Sequence, residues 1–185
     1  MTVSHKAIRY VLTLTLAAGG FMLHADVAHA ASCDGREAAE MVRLRNESKG
    51  QAGKNQHAAV LRNFKVMLTL ADQKCAITAD DYRLAAISAR AVGDIGNAIL
   101  WFEAGADTVN AGDLKARFGQ VAIKEKAGDL VKDGGLPFLP DERASLESGT
   151  AAVKASGKFT GYLPIGKYTL GGKSFEVKVS VVTKV

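Results

Sequence analysis

The sequence contains few of the residues from which catalytic and metal sites are usually built. It has four histidines and two cysteines in 185 residues, and three of the histidines lie before residue 30, which leaves His57 alone downstream. A Ser-His-Asp or Cys-His site would depend on His57, and no G-x-S-x-G motif accompanies it. Counting ligands excludes a zinc site rich in histidine or cysteine if the two cysteines are bonded, and no DxDxDG calcium loop occurs. We therefore expect no catalytic residue, no metal ligand and no cofactor, and hence a protein that is not an enzyme.

The sequence also lacks an apolar run of the length that a membrane span requires. The candidate run, residues 10–21, is shorter than the ~20 residues of a spanning helix. Lys6 and Arg9 precede it, and the small-x-small sequence of residues 28–30 follows it, which is the order of a secretory signal peptide. We expect cleavage near Ala30 and export to the periplasm or out of the cell, with no transmembrane segment in the mature chain. The alternative is an uncleaved anchor.

The two cysteines, Cys33 and Cys75, both follow the expected cleavage point. Two cysteines in an exported protein are typically bonded. Cys33 precedes a predicted helix over residues 36–49 and Cys75 follows one over 56–72, so a bond would close the open end of an antiparallel hairpin. The chain-entropy model gives about 4 kcal/mol for a loop of this length. The alternative is a lipoprotein anchored at Cys33, which would leave Cys75 unpaired. A redox role is disfavoured because no C-x-x-C motif occurs.

Aromatic residues make up 6% of the chain, which argues against stacking on nucleic-acid bases. Removing residues 1–30 lowers the formal net charge from +5 to about +4. The basic residues of the first predicted hairpin form a solvated helix face or attract an acidic partner, anionic lipid or a cell-wall polymer. These residues are Arg36, Arg43, Arg45, Lys49, Lys54, Arg62 and Lys65.

Residues 79–106 carry the strongest structural signal, two helices joined by a turn at Gly93-Asp94. Thr78 is suited to the N-cap of the first helix, and Asp80 and Asp81 suit its first turn. Small and apolar residues recur at helical spacing on both sides of the turn. They are Tyr82, Ala85, Ala86 and Ala89, then Ile95, Ala98, Ile99 and Phe102.

This stretch resembles a tetratricopeptide repeat in its bulky Tyr82, small Ala86, Gly93-Asp94 turn, Ala98 and Phe102. Residues 36–72 are a weaker echo, with a Gly and an Ala in the corresponding places forty residues earlier. The resemblance implies helix pairs in a right-handed stack whose concave face binds a peptide or protein segment.

On the same resemblance, the residues facing the groove are Asp80, Arg83, Ile87 and Arg90. Two arginines with an aliphatic side chain between them would suit an acidic or C-terminal peptide. The alternative is that these are ordinary exposed charges.

The sequence pattern of paired helices ends after residue 106. A third helix is predicted over residues 113–130, then a linker over 133–149 with a short helical turn at 141–147. From residue 150 the alternation predicts a four-strand antiparallel meander, starting with TAAVKA and turning at Ser156-Gly157 and Gly171-Gly172. The run LPIGKYTLGGKSFEV resembles the PEGA-type β-modules of cell envelopes.

Together these patterns predict an α+β protein. It would contain a signal peptide over 1–30, a helical domain over 31–132, a linker over 133–149 and a β-module over 150–185. We expect a non-catalytic scaffold or adaptor that binds a protein or peptide in the bacterial cell envelope. The alternative is an accessory module that binds cell-wall glycan or lipid through the basic first hairpin or the β-tail. We expect no nucleic-acid partner.

Overall fold

The structure of the protein is a computed structural model. It describes Cys33 and residues 35–72, 75–124 and 128–185. The expected signal peptide over 1–30 lies outside the described residues. The helices are α1 Gly35–Ala52, α2 His57–Asp72, α3 Ala79–Ala91, α4 Ile95–Ala104, α5 Thr108–Arg117 and α6 Pro140–Ser156. The strands are β1 Phe118–Ile123, β2 Leu130–Lys132, β3 Phe159–Pro164, β4 Gly166–Leu170, β5 Lys173–Val177 and β6 Thr183–Lys184. The predicted α+β class is confirmed.

The predicted hairpin of α3 and α4 is confirmed, together with its N-cap. Thr78 and Asp81 form a capping box, in which Asp81 N donates to Thr78 Oγ1 at 3.2 Å and Thr78 N donates to Asp81 Oδ2 at 2.9 Å. The turn requires glycine at Gly93, where φ is +81°. A Cβ there would also meet the backbone of Ala144 and Ser145, because α6 lies directly against this turn.

Helices α1 to α5 share one hydrophobic core. Phe64 of α2 lies at its centre and packs edge-on against Tyr82 of α3 and Trp101 of α4, with ring centroids 5.5 and 4.9 Å apart. The other fully buried side chains of this core come from α1 to α5. They include Met41, Met67, Ala86, Ile95, Phe102 and Leu114.

The third helix predicted over 113–130 is wrong beyond Arg117. Phe118–Ile123 is strand β1, the middle strand of a sheet ordered β3-β1-β6. Val121 and Ile123 are buried at the two-residue spacing of a strand, and β3 and β6 satisfy the backbone on both sides. Glycine is required at position 119 of this strand, because the carbonyl of Lys178 and a methyl group of Val177 fill the place of its missing Cβ.

The strand predicted from residue 150 is wrong, because one helix, α6, covers Pro140–Ser156. The helical turn predicted at 141–147 is part of this longer helix. Pro140 begins it, which suits the first helical position. Gly157 ends it in the left-handed conformation with φ 71°, so Ser156-Gly157 is a helix C-cap and not a hairpin turn. The turn at Gly171-Gly172 is confirmed, since it joins the paired strands β4 and β5.

The predicted four-strand meander is wrong, because the strands divide between two sheets ordered β3-β1-β6 and β2-β4-β5. Each sheet takes one strand that precedes residue 133 and two that follow residue 157. The segments on either side of the boundaries expected at 132 and 150 therefore contribute strands to the same sheets. Residues 31–185 form one compact unit. The sheets and α6 enclose a second core that includes Val121, Ile123, Leu146, Val153, Leu163, Tyr168 and Leu170.

Candidate functional site

The two cysteines are joined by a disulfide between Cys33 and Cys75, as the sequence predicts. It ties the residue before α1 to the residues between α2 and α3, with Cys75 buried. The bonded sulfur of Cys33 is not available for a lipid anchor. Disulfides persist in oxidising compartments outside the cytoplasm, and the bond is consistent with export. In the described part of the chain, no helix is long and apolar enough to cross a membrane.

The four residues predicted to face a peptide groove make different contacts. Arg83 Nη1 donates to Asp80 Oδ1 at 3.2 Å on the same exposed turn of α3. Ile87 follows with half its surface exposed. Arg90 Nε donates to Asp141 Oδ2 at 2.7 Å, so Arg90 holds the acidic start of the chain's own helix α6. The two arginines are thus engaged with separate carboxylates.

A pocket of about 270 Å³ lies between α1, α2 and α3, and we call it the α1–α3 groove. Its floor is apolar and comes from Val60, Phe64 and Met67 of α2, all buried. The remaining lining residues come from α1 and from the start of α3. They are Arg45, Ser48, Lys49, Thr78, Asp80, Asp81, Leu84 and Ala85.

The wall of the α1–α3 groove contains a buried hydroxyl without a partner. Ser48 is only 4% exposed, and its Oγ has no hydrogen-bond partner among the residues that the structure describes. An unsatisfied buried polar atom costs about 1–3 kcal/mol. The Ser48 Oγ is buried, so a ligand in the groove would reach it only if the side chain turned toward the groove, and a hydrogen bond there would recover that cost.

The two basic residues of α1 at the α1–α3 groove, Arg45 and Lys49, differ in their contacts with the rest of the protein. Arg45 Nε donates to Asp81 Oδ1 and Oδ2 at 3.1 and 2.8 Å, and its Nη2 donates to the Ala76 carbonyl at 2.6 Å. These contacts fix α1 against the start of α3. Lys49 is exposed at the rim and forms no ion pair with any described residue. It is therefore the rim cation that can meet an incoming carboxylate.

A second polar cluster joins α3, α5 and α6. Arg117 Nη2 donates to Asp141 Oδ2 at 2.7 Å and to Asp113 Oδ2 at 2.8 Å, and its Nη1 donates to Glu142 Oε1 at 3.0 Å. With Arg90 on the same Asp141 oxygen, two guanidinium groups surround one buried carboxylate.

The electrostatics of this cluster favour the charged forms of two of its carboxyl groups, Asp113 and Asp141. Burial raises the pKa of Asp141, but hydrogen bonds from Arg117 and Arg90 lower it by more, so its pKa lies below the usual value. The hydrogen bond from Arg117 lowers the pKa of Asp113 in the same way. Both guanidinium groups of the cluster are already engaged with carboxylates, so we interpret the cluster as a clamp that holds α6.

His57 lies at the start of α2, where Nδ1 is 3.3 Å from the Oγ of Ser88 on α3. Ser88 has no exposed surface, so its hydroxyl is not accessible to a substrate. We interpret the contact as one that packs α2 against α3. Within residues 35–72, 75–124 and 128–185, no group of three or more His, Cys, Asp or Glu side chains could hold a metal ion.

Comparison with known proteins finds no protein family, no curated protein sequence and no solved structure that matches this chain. The α1–α3 groove is therefore the feature of the molecule from which a function can be inferred. The predicted peptide groove lay on α3, and Lys49 was predicted only as one of several basic residues of the first hairpin. The sequence missed Ser48, because the groove exists only once α1, α2 and α3 are packed together.

Proposed function

We propose that this protein is an exported, non-catalytic adaptor of the bacterial cell envelope that binds a peptide segment of a partner protein in the α1–α3 groove. The observation that carries the proposal is the combination in one pocket of an apolar floor, the unpartnered Ser48 hydroxyl and the unpaired Lys49. The disulfide and the signal-peptide-like segment support export.

The chemistry of the groove describes its ligand. The floor of Val60, Phe64 and Met67 suits one apolar side chain, whose burial is worth about 1.5–3 kcal/mol. Ser48 suits a hydrogen bond to a peptide backbone group beside that side chain. Lys49 suits a carboxylate, either an acidic side chain or the C-terminus of the peptide.

The proposed ligand is a peptide with a carboxylate, as the sequence predicts, but its proposed site differs from the predicted one. An acidic peptide was expected on Arg83 and Arg90, and Arg90 is occupied by Asp141. The adjoining α1–α3 groove offers Lys49, a cation without an ion-pair partner in the part of the chain that the structure describes. The resemblance of residues 79–106 to a tetratricopeptide repeat favours the same class of ligand.

A crosslinked pull-down of the mature protein from envelope extracts tests the proposal. We expect one protein to be recovered by the wild type and by Lys65→Glu, a matched reversal of an exposed lysine on α2 outside the groove. Lys49→Glu should lose that protein, because it places a carboxylate opposite the ligand's own. Recovery that is unchanged in Lys49→Glu would refute the groove assignment. Recovery of wall fragments alone would favour the glycan-binding alternative.

A further inference from the structure

The loop between β2 and α6, residues 133–139, presents apolar side chains to solvent. Phe138 is 97% exposed, Leu136 is 69% exposed and Leu139 is 45% exposed. Single exposed apolar residues are ordinary, but three within four positions of one loop form a local apolar tip. We call residues 133–139 the apolar loop.

The apolar loop is held in place by its own backbone contacts. At its base, Asp133 N donates to the Lys167 carbonyl at 2.9 Å. At its other end, Arg143 Nη2 donates to the Pro137 carbonyl at 3.3 Å. Pro137 is buried beneath the tip, and prolines at 137 and 140 fix two φ angles. The fold therefore supports the outward position of Phe138 instead of burying it.

Basic side chains surround the base of the apolar loop. Lys132, Lys167 and Arg143 lie at the points where the loop leaves β2, contacts β4 and enters α6. None of the three forms an ion pair with a described residue. Four carboxylates lie near them: Asp133 in the loop, Glu142 and Glu147 on α6, and Glu176 opposite Lys167 across the β4–β5 pair. Glu142 is paired with Arg117 and Glu176 with Lys178, so the three cations outnumber the two remaining carboxylates.

We propose that the apolar loop is a membrane-docking element, which inserts Leu136 and Phe138 into the interface of an anionic lipid bilayer. The lipid headgroups would meet Lys132, Lys167 and Arg143. An apolar tip above a basic base matches the two requirements of interfacial binding, apolar insertion and attraction to anionic lipid. A protein interface normally needs about 800 Å² on each partner, which a protruding tip of three side chains does not offer. The proposal is independent of peptide binding in the α1–α3 groove.

Sedimentation of the mature protein with vesicles tests this proposal. The probe is phosphatidylcholine vesicles with or without about 30% phosphatidylglycerol. We expect binding to the anionic vesicles and weaker binding to phosphatidylcholine alone. Phe138→Ser should lower the apparent affinity about 10-fold or more, since burial of the ring is lost. Val109→Ser, at another highly exposed apolar residue, 81% exposed on α5, should bind as the wild type does.

Charge variants and stability complete the test. Lys167→Glu should lower the affinity for anionic vesicles by about 5-fold for each unit of positive charge removed. It should leave the affinity for phosphatidylcholine vesicles unchanged. The thermal midpoint of Phe138→Ser should equal that of the wild type, because the ring contacts little of the protein. Absence of wild-type binding to either vesicle would overturn the proposal. So would undiminished binding by Phe138→Ser, in which case the tip is free for a protein partner.

Discussion

Replacement of Ser48 by alanine tests the structure of the α1–α3 groove, because the expected effect on stability has an unusual sign. The Ser48 hydroxyl is buried without a partner, so its removal relieves a cost of about 1–3 kcal/mol. Alanine in a helix adds up to about 0.7 kcal/mol. After allowance for the small void, we expect Ser48→Ala to raise the free energy of unfolding by about 1–2 kcal/mol. For a chain of this size that raises Tm by about 2–8 °C.

Ser145→Ala provides the matched control. Ser145 is also buried and helical, but its Oγ donates to the Tyr162 carbonyl at 2.6 Å. Its loss should lower the free energy of unfolding by about 1–3 kcal/mol. Urea unfolding followed by circular dichroism, with the disulfide intact, measures both variants. A destabilised Ser48→Ala would refute the reasoning, because it would show that the hydroxyl is hydrogen-bonded in solution.

The same substitution should weaken the proposed ligand. If Ser48 supplies one hydrogen bond to the bound peptide, its loss costs about 1 kcal/mol, or about 5-fold in Kd. A more stable protein that binds less tightly is the expected signature of a hydroxyl kept for recognition. Titration of the captured partner's peptide against both proteins measures it. Equal affinities would place the peptide elsewhere.

Three further results are expected. Asp141→Asn should lower the free energy of unfolding by about 3 kcal/mol and Tm by about 6–12 °C, because two guanidinium groups lose the carboxylate charge that they share. Asp129→Asn, at an exposed ion pair, should shift Tm by less than about 2 °C. Because the pKa of Asp141 is lower in the folded than in the unfolded state, its contribution to stability is complete above the unfolded value of about 4 and is lost as the pH falls below that value. Asp141→Asn should therefore flatten an acid-unfolding curve in this acidic range. Reduction of the disulfide, which spans 42 residues, should lower stability by about 4 kcal/mol in urea unfolding; an unchanged midpoint would contradict the entropic estimate.

The parts of the fold that the sequence predicts correctly are those with local signals. Thr78 and Asp81 specify the start of α3 from three residues apart, and Gly93 specifies its end. Cys33 and Cys75 pair as predicted because the two helices between them form a hairpin. These features are decided within one or two helices, so no distant contact can override them.

The incorrect predictions concern segments whose structure is decided by distant partners. Phe118 and Val121 lie three positions apart, which fits a helix as well as a strand, and the pairing with β3 that decides the matter lies some forty residues away. The acid pair at Asp141-Glu142 lies in the first turn of α6, where carboxylates suit the helix dipole. It also clamps α6 to Arg90, 51 residues earlier, and the sequence gives no signal of that contact.

The division of strands between the two sheets sets the order in which the protein can fold. Helices α1 to α5 contact mainly their neighbours in sequence, so they can form as the chain emerges from a ribosome or an export channel. Strands β1 and β2 wait for partners more than thirty residues away, and β1 has its final neighbour only when β6 arrives. Until then the buried faces of both strands remain uncovered. We expect the last step of folding to be slow and to be the stage at which the chain is most vulnerable to aggregation and proteolysis.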